Sequence, residues 1–167
     1  KDIMFNKETY VRRRENLLKK MQQTLPKDQR GTALFIGNVE APAQYKDNCY
    51  KWRQDSSWLY LFGIDDPRYA AIIDLDTAET VIFADDVDID DIIWMGPQES
   101  VSSKAEAVGV SRTAPYSEVS KYVSKALSSG RRVHFLPPSR YYNTLMLSEL
   151  TECSRHEVVV TKPGHGK

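Results

Sequence analysis

The sequence has no long apolar segment, few cysteines and no excess of charge of either sign. No apolar run approaches the roughly 18 residues that a membrane-spanning helix needs, so we expect no membrane partner. The chain has 23 basic and 23 acidic residues, and this zero net charge argues against a nucleic-acid partner. Its two cysteines, Cys49 and Cys153, form no CxxC pair and suit a reducing compartment. These features together favour a cytoplasmic protein.

The motifs that usually mark catalysis are also missing. The sequence contains no P-loop, no GxGxxG and no GxSxG. The three histidines, His134, His156 and His165, have neither HxH nor HxxxH spacing, which argues against a histidine-based metal site. His134 lies inside a strand pattern and is predicted to be structural. Composition and spacing by themselves therefore predict no catalytic residue and no metal ligand.

The acidic run ADDVDIDD at 84–91 has part of the spacing of a calcium loop. If Asp86 were the first ligand, the run would supply the DxDxD pattern. However, Asp91 stands where such a loop needs glycine, and Pro97 stands where it needs the bidentate glutamate. We interpret the run as a charged loop that leads into a helix, whose N-terminal dipole favours carboxylates.

Length and composition predict one domain. The chain has 167 residues, of which 41% are apolar, and this is enough to build a core. We assign residues 1–167 to a single domain with its core at about 7–160. The chain begins without Met and ends in TKPGHGK directly after EVVV, so we expect a fragment of a longer protein.

The periodicity of apolar residues predicts alternating helices and strands. Helices are predicted at 6–25, 87–94, 98–108, 116–127 and 142–152, and strands at 32–37, 56–63, 69–75, 80–84, 132–136 and 157–160. The turn residues at 65–67 and 76–79 predict that strands 56–63, 69–75 and 80–84 form an antiparallel meander. The fold class is a single α/β domain, with a mixed central β-sheet flanked by helices on both faces.

Three polar residues, Arg53, Gln54 and Asp55, stand directly before an aromatic run. We interpret them as structural residues that fix the entry from loop to strand through hydrogen bonds and an Arg–Asp pair. In a strand, Trp58 and Tyr60 would lie on one face, which indicates sheet packing and not a ligand platform.

Three segments in this order resemble one family of N-terminal domains. They are RRRENLLKKM at 12–21, RQDSSWLYLFGIDDP at 53–67 and DIDDIIWMG at 88–96. Together they resemble the creatinase-type N-terminal domain of Xaa-Pro aminopeptidases and prolidases, over about residues 7–127. The positions that carry the structural motif are Arg53, Gln54, Asp55, Gly63, Pro67 and Gly96. Ser57, Phe62 and the pair Pro97-Gln98 depart from the family pattern.

The resemblance implies a two-domain metallopeptidase whose catalytic half is absent from this chain. That C-terminal "pita-bread" domain would bind two divalent ions, typically manganese, through two Asp, one His and two Glu. A metal-bridged water would then attack the peptide bond before proline. Asp74 and Asp85 have the spacing of the two Asp ligands, but the other ligands do not follow, so we interpret this spacing as chance.

The resemblance also implies a role for the N-terminal domain itself. In the family this domain packs on its own C-terminal catalytic domain, assists the formation of dimers or tetramers, and closes part of the entrance for the peptide substrate. Trp94 matches the tryptophan of the family's Trp-x-Gly motif. At the rim it would stack on proline or restrict peptide length. The alternative is that Trp94 anchors a helix end on the core of its own domain.

The sequence thus predicts the non-catalytic N-terminal domain of a metal-dependent Xaa-Pro aminopeptidase. Two alternatives stay open at this level. One is a protein-binding module, since histone-chaperone subunits share the architecture with an inactive peptidase-like half. The other is the N-terminal domain of a creatinase-like amidinohydrolase, which uses no metal.

Overall fold

The structure, a computed structural model, describes residues 3–40 and 51–159. Within them, the strands are β1 (Thr32–Ile36), β2 (Ala70–Asp74), β3 (Thr80–Phe83), β4 (Arg112–Ala114) and β5 (Val133–Phe135). The helices are α1 (Lys7–Thr24), α2 (Ser56–Phe62), α3 (Ile89–Met95), α4 (Val101–Ala107), α5 (Val119–Ser128), α6 (Tyr141–Thr151) and α7 (Arg155–Val159). Short 3₁₀ turns lie at Lys27–Gln29 and Tyr116–Glu118.

The five strands form one mixed sheet in the order β4-β3-β2-β1-β5. Strands β1, β2 and β3 form an antiparallel meander, whereas β5 joins β1 and β4 joins β3 in parallel. The predicted mixed sheet is therefore confirmed. The predicted meander was wrong in its first member, because β1 and not the segment 56–63 pairs with β2.

The segment 56–63 forms a helix and not the predicted strand. The Asp55 carboxylate accepts the backbone N–H of Trp58 at 2.9 Å and caps the start of α2. Gly63 ends the helix with a φ of 65°, a left-handed conformation that glycine adopts without strain. Trp58, Leu61 and Phe62, at helical spacing, are buried together. Burial of this stripe on the sheet outweighs the strand preference of the aromatic residues.

Two further assignments differ from the sequence prediction. The segment predicted as a strand at 157–160 is helical in its described part, α7, which begins with a capping box. Ser154 Oγ accepts the N–H of Glu157 at 3.2 Å, and the Glu157 carboxylate accepts the N–H of Ser154 at 2.9 Å. Strand β4 was not predicted, because three residues without an apolar run give no signal. Cys49 and His165 lie outside the described residues.

Two apolar cores lie on opposite faces of the sheet. Helices α1, α2 and α4 cover one face, where Tyr10, Trp58, Phe62 and Ile82 are buried. The 3₁₀ turn at Tyr116–Glu118 and helices α5, α6 and α7 cover the other face over Leu34 and Phe83. The predicted layers of helix, sheet and helix are thus confirmed. Within the described residues, no helix has the length and apolar character to cross a bilayer.

A buried arginine in the RRR stretch joins three helices. Arg14 of α1 donates to the carbonyl of Leu61 at 2.8 Å and to that of Val108 at 2.6 Å. These carbonyls lie at the C-terminal ends of α2 and α4, where a cation is favourable for the helix dipoles. Burial lowers the pKa of Arg14 to about 10, against the opposing effect of Glu15. Arg14 remains charged at neutral pH and fixes α2 and α4 relative to α1.

Candidate functional site

The carboxyl ends of β1, β3, β4 and β5 meet at one edge of the sheet, which we call the carboxyl edge. In open α/β sheets, ligands bind outside the carboxyl ends of the strands. Residues 53–55 are joined to this edge by hydrogen bonds from Asn38, which follows β1, to Gln54 and Arg53. Helix α3 follows the end of β3. The segments singled out in the sequence therefore converge here.

Gln54 is a buried structural residue of the carboxyl edge, with 4% of its surface exposed. Its Oε1 accepts the backbone N–H groups of Asn38 at 2.7 Å and of Asp55 at 3.0 Å. Its Nε2 donates to the carbonyls of Ile64 at 3.3 Å and Asp66 at 2.8 Å. The amide thus ties both ends of α2 to the end of β1.

Arg53 and Asp55 do not form the ion pair predicted from the sequence. Within the described part of the chain, the carboxylate of Asp55 caps α2 by accepting the N–H of Trp58, and the backbone carbonyl of Arg53 accepts Asn38 Nδ2 at 2.9 Å. The side chain of Arg53 is exposed. The pair is absent because Asp55 points along α2, where its carboxylate satisfies a free N–H at the helix start.

The glycines and proline of the motif shape the backbone around α2 and α3. A Cβ at Gly63 would lie 2.3 Å from the ring of Tyr10, so this position requires glycine. Gly96 has a φ of 78° and ends α3, where its N–H bonds the carbonyl of Ile92 at 2.9 Å. Pro67 lies in the turn before Arg68, whose φ of 60° is left-handed.

Two aspartates of the acidic run hold backbone groups. Asp85 accepts the N–H of Tyr116 at 3.1 Å, and Asp86 accepts the N–H of Val101, at the start of α4, at 2.7 Å. The remaining aspartates of the run lie at the start of α3. This arrangement is the loop leading into a helix that the sequence predicts.

The residues present do not fit the two-metal site that the sequence resemblance implies for the other half of the protein. Asp74 forms a bidentate pair with Arg131, both contacts at 2.9 Å, and Asp85 is occupied by Tyr116. Burial by itself would raise the pKa of Asp74, but hydrogen bonds from Arg131 and from backbone N–H groups lower it below its ordinary value. Among residues 3–40 and 51–159, no cluster of three His, Cys, Asp or Glu side chains is arranged to hold a metal ion.

The tyrosines near the carboxyl edge are unsuited to proton transfer at neutral pH. Burial raises the pKa of Tyr116 to about 12, with Tyr142 and Asp85 adding to the rise and Arg68 opposing it. Burial also raises the pKa of Tyr69. Both phenols therefore stay protonated, and neither can serve as a general base.

Helix α3 is the exposed apolar element of this edge. It buries no side chain, and Trp94 is 88% exposed. The alternative that Trp94 packs on the core of its own domain is therefore wrong. Ile89 and Ile93 are each 75% exposed, and Met95 is 63% exposed. An exposed apolar patch of this kind on one short helix is typical of a surface that binds another protein segment or a ligand.

The two faces of α3 have different chemistry. At 100° per residue, Ile89, Ile92 and Ile93 share one face of the helix. Trp94 lies on nearly the opposite face, between Asp90 and Asp91 at helical spacing. One face is therefore aliphatic, and the other presents an aromatic ring between two carboxylates.

The sequence did not identify two buried asparagines that complete the edge. Asn143 of α6 donates from Nδ2 to Asn38 Oδ1 at 3.0 Å, and both residues are about 95% buried. Their signal in the sequence is weak, because they are single amides whose partners lie far away along the chain. They join α6 to the same network that Gln54 forms.

A family model for "Aminopeptidase P, N-terminal domain" matches residues 10–134. The curated Xaa-Pro aminopeptidase of Escherichia coli K12 is 25% identical to the chain over 126 residues. That alignment covers 74% of the chain and 27% of the relative. The chain thus spans about a quarter of the length of this relative.

Solved structures of Escherichia coli aminopeptidase P share the fold. The low-pH form and the zinc-substituted protein in complex with product each match with a TM-score of 0.68 and 22% identity. Each match covers 89% of this chain and 33% of the solved chain. The form with the inhibitor Pro-Leu matches with a TM-score of 0.66 over 86% of this chain and 32% of its own. The predicted fold class is confirmed.

Proposed function

The chain belongs to the family of aminopeptidase P N-terminal domains, and from this premise we propose that it is the non-catalytic N-terminal domain of a cytoplasmic Xaa-Pro aminopeptidase. The parent protein would remove the first residue from peptides with proline in second position. Its C-terminal half would hold two divalent metal ions, manganese in the usual case, and supply the hydrolytic chemistry. The family match over residues 10–134 and the activity named for the curated relative support this proposal.

The polar groups of the carboxyl edge support a positioning role for this domain. The side chains of Gln54, Asp55, Asp85 and Asp86 all accept backbone N–H groups of the domain itself. A carboxylate engaged in this way stabilises the fold and is less available to activate water. The domain therefore presents a rigid surface to its catalytic half.

The exposure of Trp94 is the observation that carries the proposed role. Helix α3 stands at the carboxyl edge without contributing to either core, and Trp94 is 88% exposed there. We propose that this edge borders the entrance to the active site of the parent, either of the same subunit or of a neighbouring one. The indole ring would stack on the substrate proline or limit the length of the bound peptide.

The test compares full-length parent enzymes that carry Trp94→Ala, Trp94→Phe or Met4→Ala. Met4 is a matched control because it is apolar and 82% exposed. We expect Trp94→Ala to lower kcat/KM roughly tenfold, the equivalent of about 1.4 kcal/mol, and to alter the ratio between dipeptide and longer substrates. Trp94→Phe should restore much of the rate. Equal kinetics for Trp94→Ala and Met4→Ala would show that Trp94 is not at the entrance.

The 167-residue chain itself provides a second test. We expect no hydrolysis of a Xaa-Pro peptide by the purified chain in the presence of manganese. Chelator-sensitive turnover by this chain alone would contradict the assignment of catalysis to the other half.

The exposed apolar face of α3 also suits a second candidate, a protein-binding module. The endogenous gene product distinguishes the candidates through its mass and its remaining sequence. A mass well above 19.1 kDa, together with metal ligands in the second half, favours the peptidase. A mass near 19.1 kDa, or a second half without ligands, favours the binding module.

A further inference from the structure

A groove of about 880 Å³ lies beside the edge strand β5, on the α1 face of the sheet. Helices α1 and α2 form one wall, and His134 and Leu136 form the other. Ala33 and Phe35 of β1 line it between these walls. Leu136 is 54% exposed. The volume is in the range that can hold a drug-sized ligand or a short peptide segment.

The rim of this groove is basic. Arg13, Lys19 and Lys20 lie along it, and of the described residues that line the groove none is Asp or Glu. Arg13 is held by the Tyr60 carbonyl at 3.0 Å and by stacking on the Tyr60 ring at 4.3 Å. Lys19 and Lys20 are exposed. Apolar walls with basic side chains on one rim favour an apolar segment that carries carboxylates.

Helix α3 of this chain has that chemistry. Its aliphatic face, Ile89, Ile92 and Ile93, is flanked on the helix surface by Asp88 on one side and Asp90 on the other. The helix is about 10 Å long, and the α1 wall from Arg13 to Gln23 is about 15 Å long at 1.5 Å per residue. Helix α3 is therefore short enough to lie along the groove, and it complements the groove in apolar character and charge.

The helix and the groove adjoin different strands of the sheet. The groove adjoins β5, the last strand on one side of the sheet, whereas α3 follows β3. Strand β3 lies three strand positions, or about 14 Å, from β5. A helix α3 that filled the groove would therefore come from a second molecule. Contact between unlike surfaces of two copies is either reciprocal, which closes a two-fold dimer, or head to tail, which closes into a larger ring or extends into a chain.

We propose that α3 of one copy docks its isoleucine face in the groove of a second copy. Asp90 and Asp88 then approach the basic rim that includes Lys20. Trp94, on nearly the opposite face of α3, stays available at the entrance. This contact would bring a neighbouring subunit to α3, and it rests on the part of the proposed function that places α3 beside a neighbouring subunit. A contact made by one seven-residue helix is weak by itself.

The test is sedimentation equilibrium of the 167-residue chain at low salt, with single variants and a charge swap. We expect the average mass to rise with concentration over roughly 10 µM to 1 mM, a range typical of small interfaces. Lys20→Glu and Asp90→Lys should each weaken association roughly tenfold, since each places like charges in contact. The double variant K20E/D90K should recover most of the association.

Lys125→Glu is the matched control, because Lys125 is exposed on α5, on the opposite face of the sheet. Circular dichroism and urea unfolding confirm that each variant is folded. A chain that stays monomeric over this range overturns the proposal, and so does association that responds equally to K20E and K125E. Binding through another face or to a foreign segment would give one of these results. An effect of Trp94→Ala on peptidase kinetics would survive either failure, so the two proposals can be separated.

Discussion

The side-chain oxygen Oε1 of Gln54 accepts the backbone N–H of Asn38 at 2.7 Å. This contact joins the end of β1 to the start of α2 and is buried. One amide therefore sets the position of the segment that carries Arg53, Gln54 and Asp55.

Replacement of Gln54 by Leu should destabilise the domain. The change removes four hydrogen bonds of 2.7 to 3.3 Å and leaves buried backbone groups unpaired, at an expected cost of about 2–4 kcal/mol. Gln98→Leu is the matched control, since Gln98 is exposed and makes one contact at 3.4 Å. Urea unfolding measures both. Equal midpoints for the two variants would show that the Gln54 network contributes little.

Arg14 should be far more sensitive to substitution than its neighbour Arg12. Arg14→Met leaves the carbonyls of Leu61 and Val108 without their buried donor, which should cost about 3 kcal/mol. Arg12 is exposed, so Arg12→Met should change stability by less than about 0.5 kcal/mol. The two variants make the same chemical change two positions apart. A similar loss of stability in both would mean that removal of charge, and not the buried contacts, is responsible.

The start of α2 should depend on its cap. Asp55→Ala removes the carboxylate that accepts the N–H of Trp58 and should cost about 1 kcal/mol, whereas Asp55→Asn should retain most of the stability. Asp88 occupies the equivalent position of α3 but makes no capping side-chain hydrogen bond there. Asp88→Ala should therefore have a smaller effect. Thermal unfolding compares the variants, and the reverse order would refute the role of Asp55.

Acid unfolding should report the pair between Asp74 and Arg131. The pKa of Asp74 lies below its ordinary value of 3.8 in the folded state, because the hydrogen bonds from Arg131 and the backbone outweigh the effect of burial. A lowered pKa adds stability above about pH 4, and this stability is lost as the pH falls through the folded value.

Asp74→Asn should therefore reduce stability at pH 7 and flatten the fall in stability between about pH 4 and pH 2. Urea midpoints measured across this range test the prediction. Asp28→Asn, at an exposed carboxylate, serves as the control. If the urea midpoint of Asp74→Asn falls as steeply between about pH 4 and pH 2 as that of the unmodified chain, other groups cause the acid sensitivity.

Elements with clear apolar periodicity were predicted correctly from the sequence. Segments whose conformation depends on tertiary packing were assigned wrongly. Helix α1 and strands β1 to β3 follow from periodic apolar residues and turn signals. The segment 56–63 also carries helix signals, with Asp55 before it and Gly63 at its end. Alternating aromatic and aliphatic residues favoured the strand, and the sequence could not show that packing against the sheet would select a helix.

The candidate site was predictable in its local chemistry but not in its long-range contacts. The structural interpretation of Gln54 could be reached from the sequence, but its partners could not, because Asn38 and Asp66 lie in separate segments. The exposure of Trp94 could not be predicted from the sequence either. A short helix with three isoleucines gives no sign that its apolar residues face outward.

The parallel pairing of β5 with β1 has a consequence for the order in which the chain folds. Thr32 lies beside Val133, about a hundred positions later, whereas β1, β2 and β3 pair with their immediate successors. Closure of a longer loop costs more entropy, so the meander should assemble first and β5 last. During synthesis on the ribosome, α3 emerges before the strand that completes the groove. A nascent chain would thus expose α3 before its own groove is complete. Docking of a neighbour's α3 in that groove would begin only after residues beyond β5 have left the ribosome.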